Sequence, residues 1–310
     1  MSWVLIAAIA YLLIALQVIL DKFMLSSKRV AHPATFAFYT GILSFFTLFV
    51  FLPFGGIHLV SLNQFWLLIV SGIIFIFGAL YIFFAIQKNQ ASQVIPVAGA
   101  VTPIVTYLLS LAFLQEKLSA LNLLGIAGLI LGGLLISFDL PLKVDKSKFF
   151  AGFFYSVLGG FFLGVAFLIF KIMYEQDNFA NVFVWTRMGL GAGALVLLLI
   201  PPWKEAILDS FKNLKNNPKE NSRTSVLFVF NKILGGTGSL MLNWAIALGS
   251  VTIANAMVSV EYIFVFILGL IFAFWLPKIF REKATVWDIF QKVGAISIIT
   301  AGIVLISRTH

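Results

Sequence analysis

Glu261 is an acid where acids are costly. It falls about eleven residues into an apolar run that begins near residue 250, hence ~17 Å along a helix and close to the middle of a ~30 Å hydrocarbon layer. A carboxylate at that depth is by default a functional candidate. It suits proton-coupled transport, in which a proton is taken up in one orientation and released in the other. The alternative is an acid satisfied by Asn255, Tyr262 or Asn243 and serving only helix packing. Lys232 lies in the preceding apolar run, with Asn231 and Asn243. It either pairs with Glu261 across a depth difference of roughly two helical turns, snorkels to the near surface, or lines a cavity that draws anionic or zwitterionic substrates. Arg187, beside Trp185, reads first as an interfacial anchor and second as a group for a substrate carboxylate.

Pro96 and Pro103 sit two turns apart on one face of a single run, where each removes a backbone hydrogen bond and bends the helix. The freed carbonyls must face protein or water rather than lipid. A bent helix beside a cavity, with Ser92, Gln93 and Thr102 supplying polar contacts, is one reading; a kink made for packing is the other. Lys22 and Lys171 close two runs and read as anchors first and gating residues second. Glu116 and Glu282 read as loop charges that shape turns. His32, His58 and His310 lie outside the runs with no metal-ligand spacing, and no nucleophile motif or phosphate-binding glycine loop is present. No catalytic residue, cofactor or metal is expected, and an enzyme is not.

The elements that must hold these residues are set by composition. The chain has 310 residues, of which 61% are hydrophobic and 11% charged, with no cysteine and a mean hydropathy of +1.05. A soluble globule of that composition would expose too much hydrocarbon to stay dispersed, so the solvent is lipid. Apolar runs fall at about 2–20, 34–53, 65–86, 91–113, 119–138, 149–171, 181–200, 225–248, 250–276 and 287–307. Ten spans leave no room for an aqueous domain, which excludes a nucleic-acid reader despite the net charge of +9. Asp21, Lys22, Lys28 and Arg29 follow the first run, which therefore reads as an uncleaved helix. The loops after spans 1, 3, 5, 7 and 9 hold fifteen basic residues, against Lys117, Lys171 and Arg308 on the other side. By the positive-inside rule both termini face away from the cytoplasm, in a bacterial-type inner or plasma membrane. Within 201–224, Trp203, Ile207, Phe211 and Leu214 recur at helical spacing among lysines, which predicts either a helix in the headgroup layer or a solvated connector.

Three correspondences in order indicate a duplication. Lys22 and Lys171 end comparable runs; 78–85 is similar to 238–245; and Glu116-Lys117 and Glu282-Lys283 each precede a Gly-containing run ending in Ile-Ser. Five spans per half is an odd number, so the second copy must enter the membrane inverted. The expected fold is all-α and integral to the membrane: ten transmembrane helices as two inverted five-helix repeats, 1–140 and 141–310. Gly128/Gly132, Gly160/Gly164 and Gly189/Gly193 predict close helix packing within the chain.

The stretch AlaSerGlnValIleProValAlaGlyAlaValThrProIle at 91–104, the Glu116-Lys117 pair before its glycine-rich helix, the lysines at 22 and 171, and Arg187 together resemble the drug/metabolite transporter superfamily, in its ten-helix EamA-like branch. The resemblance covers nearly the whole chain and implies a cofactor-free secondary carrier of small organic metabolites, amino-acid or drug-like, often an exporter. The chain departs from it at Glu261, where an uncharged residue near a proline is more usual, and at Phe38 and Tyr39, where a basic residue matching Arg187 is absent. Inverted repeats place the substrate at their interface near the midplane and work by alternating access. The expected partners are a small-molecule substrate, protons where Glu261 is the coupling group, and membrane lipid, with monomer and homodimer both open. A non-transporting scaffold or a lipid- or solute-binding sensor of the same fold, and a passive channel, are the alternatives.

Overall fold

The structure is a computed structural model and describes residues 2–26, 32–88, 91–137, 146–216, 218–275 and 286–307. Among these residues every regular element is helical: α1 (Ser2–Ser26), α2 (Pro33–Ser44), α3 (Phe46–Phe51) and a 3-10 turn (Leu52–Phe54), α4 (Leu62–Lys88), α5 (Ala91–Phe113), α6 (Ala120–Ser137), α7 (Lys146–Tyr174), α8 (Phe179–Leu197), α9 (Pro201–Asn216), α10 (Pro218–Leu248), α11 (Val251–Ala256), α12 (Val258–Trp275) and α13 (Val286–Ser307). Ten segments are long and apolar enough to cross a membrane, and they fall within a few residues of the ten apolar runs. The chain is an integral, multi-pass membrane protein. Its exposed shell is hydrocarbon, including Phe49, Leu108, Leu124, Phe154 and Ile233, as lipid requires.

Two spans are interrupted where hydropathy gives no sign. The second breaks at Phe45 into α2 and α3, and the ninth breaks at Met257 into α11 and α12. Neither break has a Pro or Gly at its centre. In the ninth, the Met257 and Val260 amides donate to the Ile253 and Met257 carbonyls, and the Ser259 hydroxyl donates to the Ala256 carbonyl. These bonds satisfy backbone groups that a break in lipid would otherwise leave open.

The helices pack as α1 on α10 and α12, α7 on α4 and α5, α6 on α13, α2 on α8, and α5 on α11. Exchanging each span with the one five places later converts α1 on α10 into α7 on α4, and α1 on α12 into α7 on α5. It maps the other three pairs onto themselves. The small residues make these approaches possible: a Cβ on Gly160 would press on the Ala98 backbone of α5, one on Gly132 on Ile299 of α13, and one on Gly72 would overlap the Gly189 backbone of α8.

Helix α9 is neither free nor merely solvated. Ile207 is fully buried, the Thr35 hydroxyl donates to the Ala206 carbonyl at 3.2 Å, and Tyr39 and Ser210 share a hydrogen bond of 3.0 Å. Trp203 lies against Phe77 and Phe84, and Phe211 meets the edges of Phe38 and Tyr39. The amphipathic helix is clasped to α2 and α4 by its apolar face.

Candidate functional site

Break and charge coincide in the ninth span. Glu261 is in the first turn of α12, four residues past the interruption, and only 6% exposed. Counted from Val251 it lies ~15 Å into the membrane. It forms no hydrogen bond or ion pair with any described residue, although Tyr11 of α1 and Tyr262 stand close enough to feel its charge. The Tyr11 hydroxyl donates instead to the Ala254 carbonyl at 2.9 Å, and the Tyr262 hydroxyl reaches the Ile95 carbonyl at 3.4 Å. The amides expected to satisfy the acid are engaged elsewhere. Asn255 donates to the Thr106 hydroxyl at 3.3 Å, and Asn243 sits with Tyr174 and Ser239. Glu261 itself belongs to the first turn of α12, where the helix dipole favours a negative charge.

Glu261 does not line the small cleft of about 10 Å³ found between α5, α6 and α12, whose walls include Pro96, Gly99 and Ala100 of α5, Gly133 of α6, and Ser259 and Tyr262 of α12. Pro103 has no N–H to bond the carbonyl of Gly99, a residue that lines this cleft. Helix α5 runs unbroken through both prolines, from Ala91 to Phe113. The Thr102 hydroxyl is spent on the Ala98 and Gly160 carbonyls and therefore packs α5 against α7. The side chains of Ser92, Gln93 and Lys22 lie outside the described residues, as does Glu282.

Arg187 was expected first at the interface; the structure buries it. It is 6% exposed and ~12 Å inside α8, counted from Phe179. One amino group donates to the Ser239 hydroxyl of α10 at 3.0 Å, the Phe183 ring faces the guanidinium at 4.3 Å, and Nε has no partner. The Tyr174 hydroxyl donates to Asn243 Oδ1 at 3.0 Å, while Asn243 Nδ2 donates to the Ser239 carbonyl at 2.8 Å. Spans alternate in direction, so α8 and α11 start from the same end of the bundle. Arg187 and Glu261 therefore lie at nearly one depth, yet no ion pair joins them.

Lys232 and Glu261 do not pair either. The Lys232 ammonium rests over the rings of Phe36 at 4.1 Å and Phe228 at 5.2 Å, which places it between α2 and α10. Lys171 bonds the Ala247 carbonyl and Glu175, tying the end of α7 to the end of α10. Glu116 is more than a turn-shaping charge: one oxygen accepts from the Ser110 hydroxyl at 2.6 Å and from Thr252 at 2.8 Å, joining the end of α5 to the start of α11. Gln115, with a left-handed φ of 52°, turns the chain so that Glu116 points back at them.

Tyr11, Tyr174, Ser239 and Thr252 were not singled out from the sequence. A hydroxyl inside an apolar run is common, and only the location of its neighbours marks these four. For Tyr11 a signal existed: it lies at the centre of its span, where a phenol needs a partner.

Residues 1–138 match the EamA-like transporter family. An uncharacterised protein of Methanocaldococcus jannaschii is 35% identical over 69 residues, which is 22% of this chain and 50% of that relative, so the chain spans about half the relative's length. A solved crystal structure of a protein aligns over 99% of this chain and 96% of its own, with a TM-score of 0.67 and 15% identity, a likeness of fold alone.

Proposed function

We propose that the chain, whose residues 1–138 match the EamA-like transporter family, is a secondary-active carrier of small organic metabolites, amino-acid or drug-like, working as an exporter by alternating access. The two halves, 1–140 and 141–310, act as inverted repeats that rock against each other. The packing pairs that interchange under a five-span shift support that arrangement. Glu261 is the coupling group: it binds a proton when the pathway faces one side and yields it when the pathway faces the other.

The observation that carries this reading is the position of Glu261. A buried carboxylate without a partner among the described residues, in the first turn of a helix that restarts near the midplane, is costly to keep unless its charge is used. The cavity of about 10 Å³ has room for about one water and none for a solute, so the carrier reading takes this conformation as one with its site closed.

Purified protein in liposomes should show saturable counterflow of a small metabolite, and a pH gradient should drive net flux. Glu261→Gln should abolish the gradient-driven flux while leaving counterflow between equal pH values measurable. Gradient-driven flux that survives the substitution sinks the coupling role; absence of any counterflow sinks the carrier reading.

A further inference from the structure

We propose that Arg187 is the substrate's anion subsite and that the transported solute carries a carboxylate; this rests on the carrier reading above. A guanidinium stays charged at every physiological pH, so burying one without a counter-charge is costly unless something supplies it. No described carboxylate lies in ion-pair range of Arg187.

The hydrogen-bond inventory around it is lopsided. Arginine has five N–H donors, and Arg187 spends one, on Ser239. Its Nε–H is sealed from water and donates to nothing. The Ser239 hydroxyl accepts that bond and a longer one of 3.5 Å from Asn243 Nδ2, and its own hydrogen has no acceptor among the described residues. The nearby acceptors are engaged with other donors and not with Arg187: Asn243 Oδ1 accepts from the Tyr174 hydroxyl, and the Ser239 carbonyl accepts from Asn243 Nδ2. What remains is a cluster of unspent donors carrying one positive charge. A carboxylate fits that remainder, since it brings one negative charge, four lone-pair sites and no donor, and two of its oxygens match the planar fork of a guanidinium.

Position agrees with use. Phe179, Phe183 and Arg187 follow one another at four-residue intervals along α8; Tyr174, Phe179 and Phe183 stack at 5.3 and 5.5 Å, and Arg187 rests on the last ring. This column separates the guanidinium from the end at which α8 begins. The group is held at the depth of Glu261, where alternating access needs its site.

The test uses the full chain in detergent and in liposomes, with probes in matched pairs: benzoate and benzamide, butyrate and butyramide, N-acetyl-L-leucine and its amide. A carboxylate of the set should raise the thermal midpoint and inhibit counterflow, and its amide should do neither at ten times the concentration. Arg187→Gln should weaken the carboxylate at least tenfold. Arg187→Lys, which keeps the charge and guards against simple misfolding, should weaken it less, and Ser239→Ala about fivefold. Equal action of acid and amide, no effect of any acid, or an unchanged acid response in a folded Arg187→Gln protein overturns the proposal. Counterflow of neutral or cationic solutes in that same protein would leave the carrier reading standing alone.

Discussion

The seam between α4 and α8 and the seam between α2 and α10 are the same seam under the exchange of halves proposed above, and they are built differently. At the first, Gly72 and Gly189 bring two backbones together, and Gly193 packs on Ile73 and Ile76. At the second, the helices do not approach closely among the described residues, and rings span the space: Phe36 meets Phe228 at 5.6 Å, Tyr39 meets it at 6.1 Å, and the Lys232 ammonium sits on both Phe36 and Phe228. Backbone contact through glycines is short-ranged and stiff. Ring and cation contacts tolerate displacements of an ångström or more. Under the carrier reading proposed above, two equivalent seams in unequal states fit one conformation, the other being reached by trading them. The end of the bundle at which α4 and α8 begin also carries polar ties: Glu116 with Ser110 and Thr252, Lys171 with Ala247, and His58 with Asp177 at 3.1 Å.

The largest effect is expected where the stiff seam has no slack. A Cβ at Gly72 would overlap the Gly189 backbone, whereas a Cβ at Gly236 of α10 meets nothing. Gly72→Ala should therefore cost ~3 kcal/mol or more, because backbone cannot move aside as a side chain can. Gly236→Ala should be neutral or stabilising by up to about 1 kcal/mol, the helix-propensity gain alone. Thermal midpoints of the two purified variants make the comparison, and similar values for both would mean that α4 and α8 are not held by contact at Gly72.

A smaller loss is expected at the soft seam. Lys232→Met removes the charge from between Phe36 and Phe228 and should cost ~0.5–1 kcal/mol. Lys232→Arg should recover it, since a guanidinium also lies flat on a ring. A midpoint loss equal to that of Gly72→Ala would show that the two seams are equally rigid and would remove the asymmetry from which the second conformation is argued.

How far the sequence reaches follows the same division. Hydropathy located all ten spans, because the lipid must be met by twenty or so apolar residues whatever else happens. The order of the small residues anticipated close packing within the chain. It did not reveal the breaks at Phe45 and Met257, which carry no Gly or Pro. Glu261 was conspicuous as an acid in hydrocarbon. Arg187 was read as an anchor because it is eight residues from the start of its helix, and only the Phe179–Phe183 column above it shows that those residues enclose it. Glu116 looked like any loop acid until Thr252, 136 positions away, was seen to bond it.

The smallest expected effect concerns the start of α2, the helix that forms one wall of the soft seam. His32 caps it: Nδ1 accepts the Ala34 amide at 3.1 Å, and the ring stands edge-on to Phe84 at 5.9 Å. Nδ1 accepts only while it carries no proton, and partial burial lowers the imidazole below its ordinary value of 6.5. The unfolded chain therefore binds this proton more readily than the folded one, so stability rises with pH through that window. The contribution is complete above 6.5 and is lost as the pH falls from there towards the lowered folded value. His32→Asn supplies a cap that does not titrate, and it should flatten the dependence of the thermal midpoint between pH 5.5 and 7.5 by a degree or so, on the order of a few tenths of a kcal/mol. An unchanged slope in that variant would detach His32 from the helix end, leaving the ring contacts of Phe36 and Tyr39 as the hold on α2 at the soft seam.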